Sequence, residues 1–232
     1  MNRFFINFSV LALFFSVVTI SFAQESRHNE IQTLFNNHTL YRVGGFGGPI
    51  VEFSSLNGAF SVANGGGGGL IINNIFVGGY GLGVSTNHYM AFYYAHPASS
   101  SSYAHWYGYD RVNFGHGGFW MGYASQPLKA FHVAASTKMG WGAISITDSK
   151  AGSNYSLYNV VDEVFVIQPQ LELQLNLLRW MRLNIGLGYR FVTGIDKKYL
   201  DMNAGQLSWK PYFHKKDFNS MTGSIGFYFG KF

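Results

Sequence analysis

Reactive side-chain types gather in one polar and aromatic segment, residues 86–110. It contains His88, His96, His105 and Asp110, together with a run of four serines. A serine nucleophile, a histidine base and an orienting carboxylate are the parts of an acyl-transfer site. Their spacing matches no catalytic motif, and the intervals of eight and nine residues between the histidines lack the i, i+4 spacing of metal ligands. We therefore predict no catalytic residue and no metal site, and keep catalysis by this segment as an alternative.

The elements that must position this segment have the alternation of long β-strands. In the hairpin 163–195, apolar residues occupy every second position of both strands, and polar residues occupy the others. The thirteen residues 165–177 exceed a usual soluble strand of about 5–6 residues. They match a tilted membrane crossing of about 9–11 residues plus its ends. The pattern therefore predicts strands that cross a membrane.

Composition supports an exported membrane barrel. Hydrophobic residues make up 47% of the chain and charged residues 12%, whereas soluble domains carry about 25% charged residues. The chain has no cysteine, which excludes structural disulfides, thiolate metal sites and a lipid-modified N-terminal cysteine. The formal charge of +5 could attract nucleic acid, but an exported protein meets lipopolysaccharide phosphates instead. No phosphate-cradling glycine loop indicates a cofactor, so we predict none.

The N-terminus has the layout of a secretory signal. Arg3 precedes an apolar run over 4–20, and small residues end at Ala23 before Gln24. We predict a cleaved signal peptide at 1–23 and a short periplasmic segment at 24–39. An uncleaved membrane anchor is the alternative.

The rest of the chain, 40–232, predicts an all-β, antiparallel up-and-down barrel of eight strands. The connections alternate in length, with short turns on one side and long outer loops near 86–111, 148–162 and 196–217, as in bacterial barrels with both ends in the periplasm. Splitting the segment 86–111 into a further hairpin gives ten strands, which is the alternative. The predicted strands are 42–56, 58–72, 75–85, 112–124, 129–147, 163–177, 181–195 and 218–232.

Eight strands enclose space for side chains but not a wide pore, so a narrow channel is the weaker alternative for function. Charges inside such a barrel must be paired. If the loop between the fifth and sixth strands is symmetric about position 155, Lys138 faces Glu172. We therefore predict an interior polar cluster that fills the barrel, with members Lys138, Glu172, Arg190, Arg182 and Gln170.

Two outer surfaces are candidates for binding. Lys197, Lys198, Lys215 and Lys216 lie at the two feet of the last long loop, at the height of lipopolysaccharide phosphates, and are predicted headgroup contacts. Aromatic side chains dominate protein and lipid contacts. Residues 86–110, which we call the aromatic loop, are therefore a predicted partner or lipid surface. Its candidate residues are His88, His96, His105, Trp106 and Asp110.

The C-terminal sequence 226–232, which ends in Phe232, resembles the last strand of small bacterial outer-membrane β-barrel proteins. The asparagine, glycine and tyrosine content resembles such proteins from the Bacteroidota. The resemblance covers 40–232 and implies the Gram-negative outer membrane, insertion by the barrel-assembly machinery and contact with lipid and lipopolysaccharide. We expect a non-enzymatic barrel, structural or an accessory subunit of a larger outer-membrane complex. Because some eight-stranded barrels modify lipid A, such an enzyme using residues 86–110 is the alternative.

Overall fold

A computed structural model describes residues 42–99, 102–147, 158–203 and 206–232. The predicted signal peptide and the periplasmic segment after it lie outside these residues. No helix in the described ranges is long and apolar enough to cross a membrane. The elements are β1 Val43–Leu56, β2 Ala59–Ile72, β3 Ile75–Val84, β4 His88–Ser99, β5 Ser102–Ala124, β6 Phe131–Thr147, β7 Tyr158–Leu178, β8 Met181–Thr193, β9 Lys198–Asn203, β10 Gln206–Pro211, α1 Lys215–Phe218 and β11 Ser220–Lys231.

The long strands form one closed antiparallel sheet. Their order in the sheet is β3-β2-β1-β11-β8-β7-β6-β5, and a pairing between β3 and β5 closes the ring. The predicted eight-stranded, up-and-down barrel is confirmed. Its strands are β1, β2, β3, β5, β6, β7, β8 and β11.

Strand β4 is not a further member of the ring. β3 pairs with β5 as far as Gly83 opposite Gly115, and β4 then takes the same edge of β5 from His88 opposite Val112. Because a strand has two edges and β6 occupies the other, β4 can only continue the line of β3. The ten-stranded alternative is therefore wrong: the hairpin exists, but it is a two-stranded ribbon that extends β3 and β5 beyond the barrel rim.

Alternation gives the barrel an apolar outside and a mixed inside. On β8, Arg182, Asn184 and Arg190 are buried in the interior, whereas Ile185 and Leu187 are 47% and 61% exposed on the outside. The polar interior residues lie mainly on β6, β7 and β8. The opposite side of the interior is an aromatic and aliphatic cluster, whose buried members are Ile50, Ile71, Phe76, Tyr80, Leu82, Trp120 and Tyr228.

Glycines make room where these rings meet the wall. A Cβ on Gly122 would lie 2.6 Å from the Phe76 ring, whereas a Cβ on outward-facing Gly81 would meet nothing within 4 Å. The β1–β2 turn places Asn57 and Gly58 at φ 50° and 79°, a left-handed conformation that these two residue types tolerate best. The glycine-rich strands therefore fit a narrow, packed barrel.

The end of the barrel next to the β1–β2 turn, which the sequence predicts to be the outer end, is closed by its last loop. Phe213 precedes α1 and Phe218 is its last residue. The two rings are 2% and 1% exposed and meet edge to face, with their centres 5.4 Å apart. Phe218 also lies 5.2 Å from Phe114 of β5. We call residues 212–219 the outer plug. It joins a hydrophobic cluster that also contains Leu56, Val112, Phe114, Ile144, Ile146, Val161, Val164, Val166, Val192 and Ile195.

Candidate functional site

The centre of the interior is a buried carboxylate, Glu52 of β1, with an exposure of 0%. Gln168 Nε2 donates to its Oε2 at 2.6 Å, and Lys138 Nζ lies 3.6 Å from the same oxygen. Arg190 Nη1 lies 3.5 Å from Oε1. Both cations are 0–1% exposed. One carboxylate thus serves two buried cations, and we call these four residues the central cluster.

The prediction that Lys138 and Arg190 pair with Glu172 is wrong about the carboxylate. Lys138 lies opposite Gln168, four residues along β7 from Glu172, which instead lies opposite Ala134. Four residues of strand span about 13 Å. The predicted symmetry about position 155 misplaced the register, because the observed pairs from Phe131 opposite Leu175 to Ile144 opposite Asp162 are symmetric about position 153. On its other side, Glu172 lies opposite Gly186 of β8.

Glu172 organises a second network, nearer the end with the short turns. Ser136 and Gln170 donate to Glu172 Oε1, and Gln174 Nε2 donates to Oε2 at 2.8 Å. Arg182 Nη1 donates to Gln174 Oε1 at 2.9 Å. The single interior polar cluster that the sequence predicts is therefore two networks. Lys138 and Arg190 surround Glu52, whereas Gln170 and Arg182 belong to the network of Glu172.

Sequence reasoning missed Glu52, although a signal for it existed. The alternation of β1 puts Ile50, Glu52 and Ser54 on one face, with Val51 and Phe53 on the other. Three inward cations cannot be balanced by Glu172 alone, so a search for carboxylates on inward strand positions would have found Glu52.

Arg190 connects the central cluster to the outer plug. Its Nε donates to the Phe218 carbonyl oxygen at 3.0 Å, and its Nη2 donates to the Ser55 carbonyl oxygen at 3.3 Å. Its guanidinium carbon lies 5.1 Å from the centre of the Phe114 ring. Val192 N donates to Asn219 Oδ1 at 2.7 Å. These bonds fasten the plug to β1 and β8.

At the other end, Arg182 closes the interior. Its Nε donates to Asn176 Oδ1 at 2.7 Å, and its Nη2 donates to the Pro127 carbonyl oxygen at 3.4 Å. The guanidinium carbon lies 4.1 Å from the centre of the Phe232 ring. Charged and aromatic side chains therefore fill the barrel from end to end.

The ribbon separates the three histidines of the aromatic loop. His88 lies opposite Val112, His96 opposite Ala104 and His105 opposite Ala95. Eight residues of strand place the backbones of His88 and His96 about 26 Å apart. Because residues 95 and 96 alternate, the positions of His96 and His105 belong to opposite faces of the ribbon. The β4–β5 register therefore does not bring the three histidines together. The side chains of His96, His105 and Trp106 lie outside what the structure describes.

Of the candidate residues in the aromatic loop, His88 and Asp110 have described side chains, and both lie at the barrel rim. His88 Nε2 lies 2.9 Å from Thr86 Oγ1, and burial lowers the pKa of His88 below its usual 6.5. Asp110 is 5% exposed and its backbone lies opposite Met90. Within the described ranges, no three histidine, aspartate or glutamate side chains are grouped so as to hold a metal ion.

The four predicted headgroup lysines are all exposed, in one loop. Asp162 Oδ1 accepts hydrogen bonds from Asp196 N at 3.1 Å and Lys197 N at 3.0 Å, which anchors the start of the loop to β7. Tyr212 N donates to the Lys197 carbonyl oxygen at 3.1 Å. The two feet of the loop, next to Lys197 and α1, are therefore joined.

No protein-family model and no curated protein matches the chain. Among solved structures, neisserial surface protein A has a TM-score of 0.48 at 9% identity, over 82% of this chain and 96% of that one. The attachment invasion locus protein of Yersinia pestis, solved with the heparin analogue sucrose octasulfate, has a TM-score of 0.44 at 10% identity, over 83% and 99%. A major outer membrane protein from Thermus thermophilus has a TM-score of 0.45 at 9% identity, over 79% and 98%.

These neighbours are small eight-stranded outer-membrane β-barrels. At such TM-scores and identities they carry no argument about function, and the fold of this chain rests on its own strand pairing.

Proposed function

We propose that this chain is an integral outer-membrane barrel that does not conduct and is not an enzyme. It acts through its outer surfaces, as a structural protein or an accessory subunit of a larger outer-membrane complex. The observation that carries this proposal is the combination of a filled interior and an apolar outside. Charged networks occupy the middle of the barrel and the outer plug closes one end.

The outside of the barrel suits hydrocarbon rather than water. Outward-facing Phe119, Trp141, Leu171 and Leu187 are 59%, 65%, 62% and 61% exposed. Apolar surface of this extent marks a membrane or protein contact. A closed ring of strands also leaves no sheet edge in the membrane, where an unpaired backbone group costs several kcal/mol.

Aromatic pairs lie near both ends of the outer surface. Trp180 and Phe229 stack at 6.0 Å near the short turns, and Tyr189 and Phe191 lie 4.6 Å apart towards the outer end. Such girdles place amphipathic rings at the two membrane interfaces of bacterial barrels. The apolar band between them would contact lipid or the wall of a partner barrel.

Lipopolysaccharide phosphates are the proposed ligands of the last outer loop. Lys197, Lys198, Lys215 and Lys216 are exposed above the apolar band, where phosphates attract lysine ammonium groups. Changing these four to glutamine is expected to weaken lipopolysaccharide binding and reduce its salt dependence. The control is Lys129→Gln with Lys231→Gln, which changes exposed lysines at the opposite end. Equal binding by both variants would contradict the assignment.

The closed interior is tested by conductance. The purified chain, inserted into a planar bilayer, is expected to show no stable conductance steps. The double variant Phe213→Ala with Phe218→Ala removes both plug rings and is also expected to stay closed, because the central cluster and Arg182 still fill the interior. A porin inserted into the same bilayer is the control that shows that conductance steps can be detected. Stable steps from the unaltered chain would contradict the proposal and favour a channel.

The accessory role is tested by gentle extraction from native membranes, followed by mass spectrometry. A stoichiometric outer-membrane partner supports an accessory subunit, whereas recovery of the chain alone with lipid supports a structural role. Insertion by the barrel-assembly machinery is expected in either case.

A further inference from the structure

Two buried polar atoms of the central cluster lack a hydrogen-bond partner among the described residues: Lys138 Nζ and Gln168 Oε1. Their residues are 1% and 0% exposed and lie directly opposite each other on β6 and β7. A lysine ammonium carries three donor hydrogens, and an amide oxygen is an acceptor. Leaving such a group unsatisfied in the interior is destabilising, and more so for a charged group. An ammonium donor and an amide acceptor on facing strand positions therefore both lack a hydrogen-bond partner among the described residues.

The orientation of the Gln168 amide is fixed by its other contacts. Its Nε2 donates to Glu52 Oε2 at 2.6 Å and to Thr222 Oγ1 at 3.2 Å. Turning the amide over would bring two oxygens to 2.6 Å, one of them a carboxylate oxygen. Oε1 therefore stays an acceptor, and the amide stays beside the Glu52 oxygen that Lys138 Nζ approaches at 3.6 Å.

The missing partner must accept a hydrogen bond from an ammonium group and donate one to an amide oxygen. A halide ion accepts but cannot donate. A metal cation is repelled by Lys138 and Arg190. Water does both, and a buried water that makes two to four such bonds is a common part of protein interiors.

We propose that a buried water molecule bridges Lys138 Nζ and Gln168 Oε1 inside the barrel. The water gives the buried Lys138 ammonium a hydrogen-bond acceptor in addition to Glu52 at 3.6 Å and the faces of the Tyr80 and Trp120 rings at 5.8 Å. The site depends on the interior geometry alone and does not require the outer surfaces to have the proposed roles. It places a single water molecule in an interior that side chains otherwise fill.

The test is a crystal structure of the full chain in detergent, at a resolution that shows ordered water. The expected result is a density peak within about 2.7–3.2 Å of both Lys138 Nζ and Gln168 Oε1. Direct contact of Nζ with Gln168 or Glu52, without a peak between them, would overturn the proposal. Crystals soaked in bromide separate water from an anion, since an anomalous signal at this place would also overturn it.

The matched variant is Lys138→Met, which keeps a long side chain but removes the ammonium. The water is expected to leave its place between positions 138 and 168, while the contact between Glu52 and Arg190 stays. A water that remained at full occupancy in this variant would show that Lys138 does not hold it, which would contradict the assignment.

Discussion

Glu52→Gln is the substitution that examines the interior most sharply. It keeps the size and shape of the side chain and removes its charge. Glu52 lies within 3.6 Å of Lys138 Nζ and 3.5 Å of Arg190 Nη1. Among the described residues no second carboxylate lies within 4 Å of either cation, so the variant leaves two buried positive charges without a counter-charge.

The size of the effect follows from the distances. At an effective dielectric of about 20, charges about 3.5 Å apart attract by about 4–5 kcal/mol. Part of each attraction offsets the cost of removing the ions from water, and removing one partner of a buried pair costs about 3–5 kcal/mol in measured cases. We expect Glu52→Gln to lower the free energy of unfolding by about that amount.

The assay is unfolding in urea, followed by tryptophan fluorescence and by the heat-dependent gel shift of folded barrels. Glu163→Gln is the control, because Glu163 is exposed, and its effect is expected within about 0.5 kcal/mol. Lys138→Met should cost less than Glu52→Gln, because it leaves Glu52 and Arg190 as a one-to-one pair. If Glu52→Gln matched the control, or if Lys138→Met cost more, the central cluster would not stabilise the barrel as described.

Three further predictions concern the packing of the barrel and its rim. Phe218→Ala should lower the free energy of unfolding by about 3–5 kcal/mol in the same urea assay, because its 1% exposed ring fills the outer mouth. Gly122→Ala should destabilise the barrel because its Cβ would meet the Phe76 ring at 2.6 Å, while Gly81→Ala, with nothing within 4 Å, should be tolerated; equal unfolding midpoints would contradict this. Because the pKa of His88 is lower in the folded chain than in the unfolded chain, the unfolded chain binds a proton at His88 at a higher pH. The contribution of neutral His88 to the free energy of unfolding is therefore complete above pH 6.5 and is lost as the pH falls below that value. His88→Gln should lose that part of the pH dependence, and an unchanged pH profile of the unfolding midpoint would contradict it.

The fold could be predicted from local patterns because a barrel strand carries its own signature. Alternation over long segments such as 165–177, with tight turns between them, defines eight strands. What local patterns could not supply is the partner of each strand residue across the sheet. The observed β6–β7 pairs are symmetric about position 153 and not about 155, which places Gln168 and not Glu172 opposite Lys138.

The outer plug was also beyond sequence reasoning. Phe213 and Phe218 lie among lysines and polar residues in a long loop, and nothing in that composition distinguishes a buried ring from an exposed one. The plug depends on contacts with β5 and β8, which are distant in sequence. Similarly, the histidines of the aromatic loop are close in sequence, but the extended ribbon holds their backbones apart.

The central claim, a filled barrel with an apolar outside, can be tested directly with single-tryptophan variants in bilayers of brominated lipid. Trp141 is 65% exposed on the outside, Trp209 is 67% exposed in the last outer loop, and Trp120 is fully buried in the interior. We predict that bromine on the acyl chains quenches Trp141, that aqueous acrylamide quenches Trp209, and that Trp120 resists both. Strong acrylamide quenching of Trp120 would show an open, water-filled interior, and an unquenched Trp141 in brominated lipid would show that this surface does not face the membrane.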